Sequence, residues 1–150
     1  MTLKQRLDED MKAAMKAREE GKERLSVIRL AKSAIKNVEI DKRHELSDEE
    51  VVEVIAREVK QRRDALDEFG ARAGPEYVHK MEGEIAILMD YLPQQMSEEE
   101  VRRVCAETIA EVGAQAPKEM GKVMAKLMPR VKGRADGKLV NQVVKELLSR

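Results

Sequence analysis

Residues 118–150 read KEMGKVMAKLMPRVKGRADGKLVNQVVKELLSR, and the spacing of their apolar side chains decides the fold class. Met120, Val123, Met124, Leu127 and Met128 recur every three or four positions, which puts them on one face of a helix with Lys118, Lys122 and Lys126 opposite. After Lys132-Gly133-Arg134-Ala135-Asp136-Gly137 the same period returns in Leu139, Val140, Val143, Val144, Leu147 and Leu148, leaving Lys138, Asn141, Gln142, Lys145 and Ser149 outward. Neither segment alternates polar and apolar residues as a half-buried strand would. The pattern predicts a helix over 117–128, opened by Pro117 and closed before Pro129, and another over 137–149 capped by Asp136.

Working upstream, helix starts are marked by capping boxes, in which a Ser or Thr accepts from the third helical N–H while a Gln or Glu reaches back. Ser97/Glu100 starts a helix over 98–112 that stops at Gly113, and Ser47/Glu50 starts one over 48–69 with Val52, Ile55, Val59, Leu66 and Phe69 on its apolar side. Thr2/Gln5 starts a first helix over 3–18, with Gly21 turning the chain into a second over 22–44. A fourth spans 76–91, and Tyr91-Leu92-Pro93 closes the N-terminal part. The expectation is an all-α chain: an N-terminal helical domain over 1–93 built on a long antiparallel hairpin of the second and third helices, then a three-helix domain over 97–150.

Composition limits the chemistry. Charged residues make up 39% of the chain, and aromatics are confined to Phe69, Tyr77 and Tyr91. The single cysteine, Cys105, lies on an apolar helical face and excludes an intramolecular disulfide framework, which fits a reducing compartment. The stretch MTLKQRLDEDMK at 1–12 is acidic and amphipathic, and no run of about 18 uncharged apolar residues occurs, so a cytoplasmic chain that does not enter a membrane is expected. His44 and His79 stand apart from each other and from Cys105, and no metal or other cofactor is expected. The acidic runs Asp48-Glu49-Glu50 and Glu98-Glu99-Glu100 occupy first helical turns, where they complement the helix dipole without any catalytic role. Gly133 to Lys138 is too short between its glycines for a Walker A loop, lacks the Ser/Thr that binds magnesium, and follows a helix instead of a strand. No catalytic residue is assigned.

Charge is the remaining signal. The whole chain is neutral, yet 116–150 holds nine basic residues against three acidic ones. An anionic partner is therefore expected at Lys118, Lys122, Lys126, Arg130, Lys132, Arg134, Lys138, Asn141 and Lys145, with Gly133 and Gly137 forming a turn whose backbone N–H groups face a phosphate. A solvated surface is about equally consistent with the spacing alone. With no aromatic side chain beyond Tyr91, any RNA contact would run through phosphates and folded shape.

The segments Met120-Gly121-Lys122-Val123-Met124, Lys132 to Lys138 and Val140-Asn141 resemble those of the YqeY-like proteins. Leu25-Ser26-Val27-Ile28-Arg29, Ala34-Ile35-Lys36-Asn37, Gln61-Arg62-Arg63-Asp64 and Tyr91-Leu92-Pro93 extend the resemblance over essentially the whole chain. The C-terminal part of that family is similar to the tail domain of the B subunit of the glutamine-dependent Asp-tRNA/Glu-tRNA amidotransferase, which contacts tRNA away from the chemistry. The resemblance implies a module for tRNA or other structured RNA, with no DNA expected. The alternatives are a protein-interaction adaptor, or an accessory subunit in carbon–nitrogen ligation with glutamine as amido donor.

Overall fold

The reciprocal hydrogen bonds of the capping boxes are all present. Thr2 and Gln5 open α1 (Leu3–Lys16), Ser47 and Glu50 open α3 (Asp48–Ala73), and Ser97 and Glu100 open α5 (Glu98–Val112). In this computed structural model, which describes all of residues 1–150, the other helices are α2 (Lys22–Lys42), α4 (Pro75–Met89), α6 (Met120–Val131) and α7 (Gly137–Leu148). The chain is all-α, and no helix is long and apolar enough to cross a membrane. It divides into two compact units, Met1–Leu92 and Pro93–Arg150.

In the first unit, Leu7, Val27, Ile28, Ile55 and Leu88 form a fully buried aliphatic centre. Helices α1 and α2 run antiparallel, tied by Lys4 to Glu39 at 2.7 Å and by Lys32 to Asp8. Helices α3 and α4 do the same, with Arg62 Nε 3.0 Å from Glu84 Oε1. These two pairings are the extensive ones, and the expected α2/α3 hairpin is a minor contact. The reason lies in α2, whose stripe of Val27, Ile28, Ala31 and Ile35 is shared among α1, α3 and α4 instead of serving one partner. Tyr91, buried just after α4, donates its hydroxyl to Asp10 of α1, and Arg6 sits 4.5 Å above its ring.

Two helices run past residues expected to end them. Helix α3 continues through Gly70 to Ala73, with Gly70 buried on the side facing α4, where a Cβ would come 3.5 Å from Val78. The break comes at Gly74, whose φ of +96° and ψ of 172° suit only glycine, with Pro75 opening α4. Phe69, expected on the apolar side, is exposed and lies under the Arg72 guanidinium. Helix α6 likewise passes through Pro129 to Val131. A proline in the last turn removes one helical hydrogen bond, and burying Val131 returns roughly 1.5 kcal/mol or more. Val131 therefore takes the buried position, and Met128, expected on the apolar face, is exposed.

The connection from α1 to α2 is a 3₁₀ turn over Arg18–Gly21, and it closes so tightly that a Cβ on Gly21 would lie 2.2 Å from the carbonyl oxygen of Ala14. That neighbour is backbone and cannot rotate away. Gly21→Ala is expected to destabilise the fold by about 2–3 kcal/mol, read as a lower thermal midpoint. Arg62 and Glu84 are nearly buried, and Arg62 also bonds the carboxylate and carbonyl of Glu58. Arg62→Ala is expected to cost about 3 kcal/mol by stranding Glu84, while Arg62→Met with Glu84→Met restores much of it in urea titrations.

Candidate nucleic-acid interface

The second unit is built by an apolar interior with no aromatic side chain. Val101 and Cys105 of α5, Val123, Leu127 and Val131 of α6, and Val140, Val143, Val144 and Leu148 of α7 are all buried in it. Since Val123, Leu127 and Val131 point inward, the residues one step earlier, Lys122, Lys126 and Arg130, come out about 100° around the helix; Lys118 precedes them in a 3₁₀ turn over Pro117–Glu119, because α6 begins at Met120 and not at the expected Pro117. The side chain of Glu119 fixes where this row begins. Its carboxylate accepts from the N–H groups of Gln115 and Ala116 at 2.5 and 3.2 Å, which also holds its pKa below the ordinary glutamate value.

All nine side chains expected at the interface are exposed. They are not equivalent. Lys118, Lys122 and Lys145 form no salt bridge. Lys126 Nζ lies 3.1 Å from a carboxylate oxygen of Glu111 on α5, and Arg130 Nη2 lies 2.6 Å from the same oxygen. Arg130 Nη1 donates to Thr108 Oγ1 at 2.9 Å, and that hydroxyl, fully buried, donates to the Val104 carbonyl at 2.8 Å. The hydrogen bonds from Arg130 and Lys126 hold the Glu111 carboxyl below its usual range, and Glu111 in turn raises the Arg130 guanidinium.

The turn at 132–137 is engaged with its own unit. Its N–H groups at Lys132, Arg134 and Ala135 return to the carbonyls of Met128 and Val131 at the end of α6, and Gly133 makes this possible with φ +73°. Arg134 donates through Nε to the Gln94 carbonyl at 3.1 Å and accepts from Met96 N–H at 2.8 Å, while Gln95 Nε2 donates to Gly133 O at 2.8 Å. Asp136 accepts from Lys138 N–H at 3.1 Å, so a carboxylate already occupies the start of α7, with Gly137 as the first helical residue. The amides of Lys132, Arg134, Ala135 and Lys138 are thus used internally. The side chains of Lys132 and Arg134 in the turn, and of Lys138 in the first turn of α7, lie at the surface.

Sequence reasoning assigned no role to Arg102, Thr108 or Glu111. Arg102 joins Glu98 on its own helix to Glu146 of α7 at 3.2 and 3.1 Å, and both Arg102 and Glu146 have their charged forms favoured by that contact. Cys105 is buried as expected, and burial pushes its thiol up, away from the reactive thiolate. His44 and His79 are both exposed and belong to the first unit. The arrangement supplies fixed positive charge on a rigid helical surface.

A family model described as Yqey-like protein matches residues 4–148. No curated protein matches the chain.

The lowered carboxyls of Glu111, Glu119 and Glu146 set the sign of a pH effect. Each contributes stability that is fully present above the unfolded value of about 4.3 and is lost as pH falls through the lower folded value. The thermal midpoint of the second unit is expected to drop as pH is taken below about 4.3, and Glu111→Gln should make that drop smaller in circular-dichroism melts.

Proposed function

This chain belongs to the Yqey-like protein family, and we propose that it is a noncatalytic helical protein that binds tRNA or another structured RNA through residues 93–150. The observation that carries this reading is the row Lys122, Lys126 and Arg130, exposed along α6 while Val123, Leu127 and Val131 beside them are fully buried, with Lys118 exposed in the 3₁₀ turn Pro117–Glu119 just before it. Meeting phosphates orders only the lysine side chains, since the backbone that spaces them is already helical, and Lys118 and Lys122 form no salt bridge that must be exchanged first. Lys138, Asn141 and Lys145 on α7, with Lys132 and Arg134 in the preceding turn, add further positive charge and polar groups to the same surface stretch.

The absence of Phe, Tyr and Trp after Tyr91 favours a folded RNA over a single strand, since stacking platforms are missing and phosphate geometry is what remains to be read. The resemblance expected from the sequence between the C-terminal part and the amidotransferase B-subunit tail is the reason to test tRNA first. A second reading, a protein-interaction adaptor, draws on Leu30 and Ile40, which stand exposed on α2.

With three or four phosphate contacts, binding of unfractionated tRNA to the full chain should weaken with salt at a log–log slope of roughly −3. Lys118→Glu with Lys122→Glu is expected to lower the affinity at least about tenfold and to flatten that slope by about 1–2. Filter binding across a salt series checks both. Absence of salt-dependent binding, or an unchanged affinity in the double variant, would sink the RNA reading.

A further inference from the structure

The Glu111 carboxylate stands at the C-terminal half of the cation row and takes two of its four members. We infer that Glu111 is an intramolecular competitor for the RNA surface, holding Lys126 and Arg130 in place of the phosphates they would otherwise meet. The inference rests on the RNA reading above and adds a regulating residue to it.

Geometry separates the two ends of the guanidinium. Arg130 Nη1 is anchored on the buried Thr108 hydroxyl, and Thr108 is itself anchored on the Val104 carbonyl, whereas Nη2 is held only by Glu111. When the carboxylate leaves, the Thr108 bond keeps the guanidinium oriented and Nη2 is presented to solvent in a fixed direction. The Glu111 side chain is 43% exposed and that of Lys126 48% exposed, so an incoming phosphate can reach the bridge without opening the core. One carboxylate neutralises part of two cations, so a lone anion gains little by displacing it. Two neighbouring phosphates of a polyanion can take Lys126 and Arg130 together, and Lys118 and Lys122 supply the first contact. Glu111 thereby raises the threshold for weak anions more than for a folded nucleic acid.

Glu107 provides the control. It lies one turn before Glu111 on α5, carries the same charge and pairs at 4.0 Å with Arg103 of its own helix. Glu107→Gln therefore changes net charge equally and leaves every contact of the Lys126–Glu111–Arg130 bridge in place, removing only a weaker through-space pull on Arg130. The experiment is filter binding of unfractionated tRNA to the full chain, comparing wild type, Glu111→Gln, Glu111→Ala and Glu107→Gln over a salt series, with thermal melts confirming folding. Both Glu111 variants should bind roughly 3- to 10-fold tighter than Glu107→Gln at about 100 mM salt, with a slope steeper by about 1–2 as two more cations become available. If wild type binds and the Glu111 variants match Glu107→Gln or bind more weakly, the competitor role is overturned and RNA binding stands. If wild type fails to bind while the Glu111 variants bind, the competitor is stronger than inferred and the role is upheld. If no form binds, both the RNA reading and this inference are removed.

Discussion

The rotation of α6 about its own axis is the constraint on which the surface of the second unit depends. Val123, Leu127 and Val131 recur at four-residue intervals and are all buried, so the helix has one orientation that removes them from water. A row at that interval slants around the helix by about 40° per step, and the cations one position earlier slant with it. Lys118 and Lys122 leave the row at its solvent end. Lys126 and Arg130 are carried toward α5, where Glu111 meets them. Burying three aliphatic side chains thus decides which lysines are unpaired.

The first unit is held by different means. Its aliphatic centre sets proximity, and polar contacts then select one arrangement among those that would bury similar area. Arg62 reaches from α3 to Glu84 on α4, Tyr91 reaches from the end of α4 to Asp10 on α1, and the α1–α2 junction admits no side chain at Gly21. A nearly buried ion pair adds little net stability against an apolar replacement, but a shifted register would strand both charges, which penalises alternatives strongly. This is a reason for Arg62 and Glu84 to be present in a unit whose aliphatic packing is already extensive.

Helix starts were legible because the capping box is a local code: the residues that form it lie three apart, and nothing distant has to be known. Thr2, Ser47 and Ser97 fall in this class, and Asp136 is a similarly local cap that accepts from the Lys138 N–H two residues on. Helix ends at Gly70 and Pro129 were misread because breaker signals are weak local preferences that tertiary burial overrides, here through Val78 against Gly70 and through Val131 in the interior. The pairing of α3 with α4 was illegible for a related reason, since amphipathic stripes say that a face is buried and leave open against which helix. The cation row itself followed from periodicity. Its partial neutralisation did not, because Glu111 stands outside the basic stretch and 19 residues from Arg130.

A count of charges treats each lysine and arginine alike, and a fold does not. The basic stretch of 116–150 contains cations without a salt bridge, cations shared with a carboxylate, and an arginine, Arg134, whose Nε is committed to a backbone carbonyl. For a ligand that binds through phosphates these classes differ in the work needed to recruit them, since an existing ion pair or hydrogen bond must be exchanged before a new one contributes. On the proposed function, affinity would be set first by Lys118 and Lys122, which form no salt bridge, and its dependence on ligand valence by Lys126 and Arg130, which share Glu111. A nearly neutral protein can in this way keep a locally basic face and still hold weakly to scattered small anions. On that proposal, one short stretch of chain would carry both behaviours, and the glutamate on α5 that holds Lys126 and Arg130 would separate them.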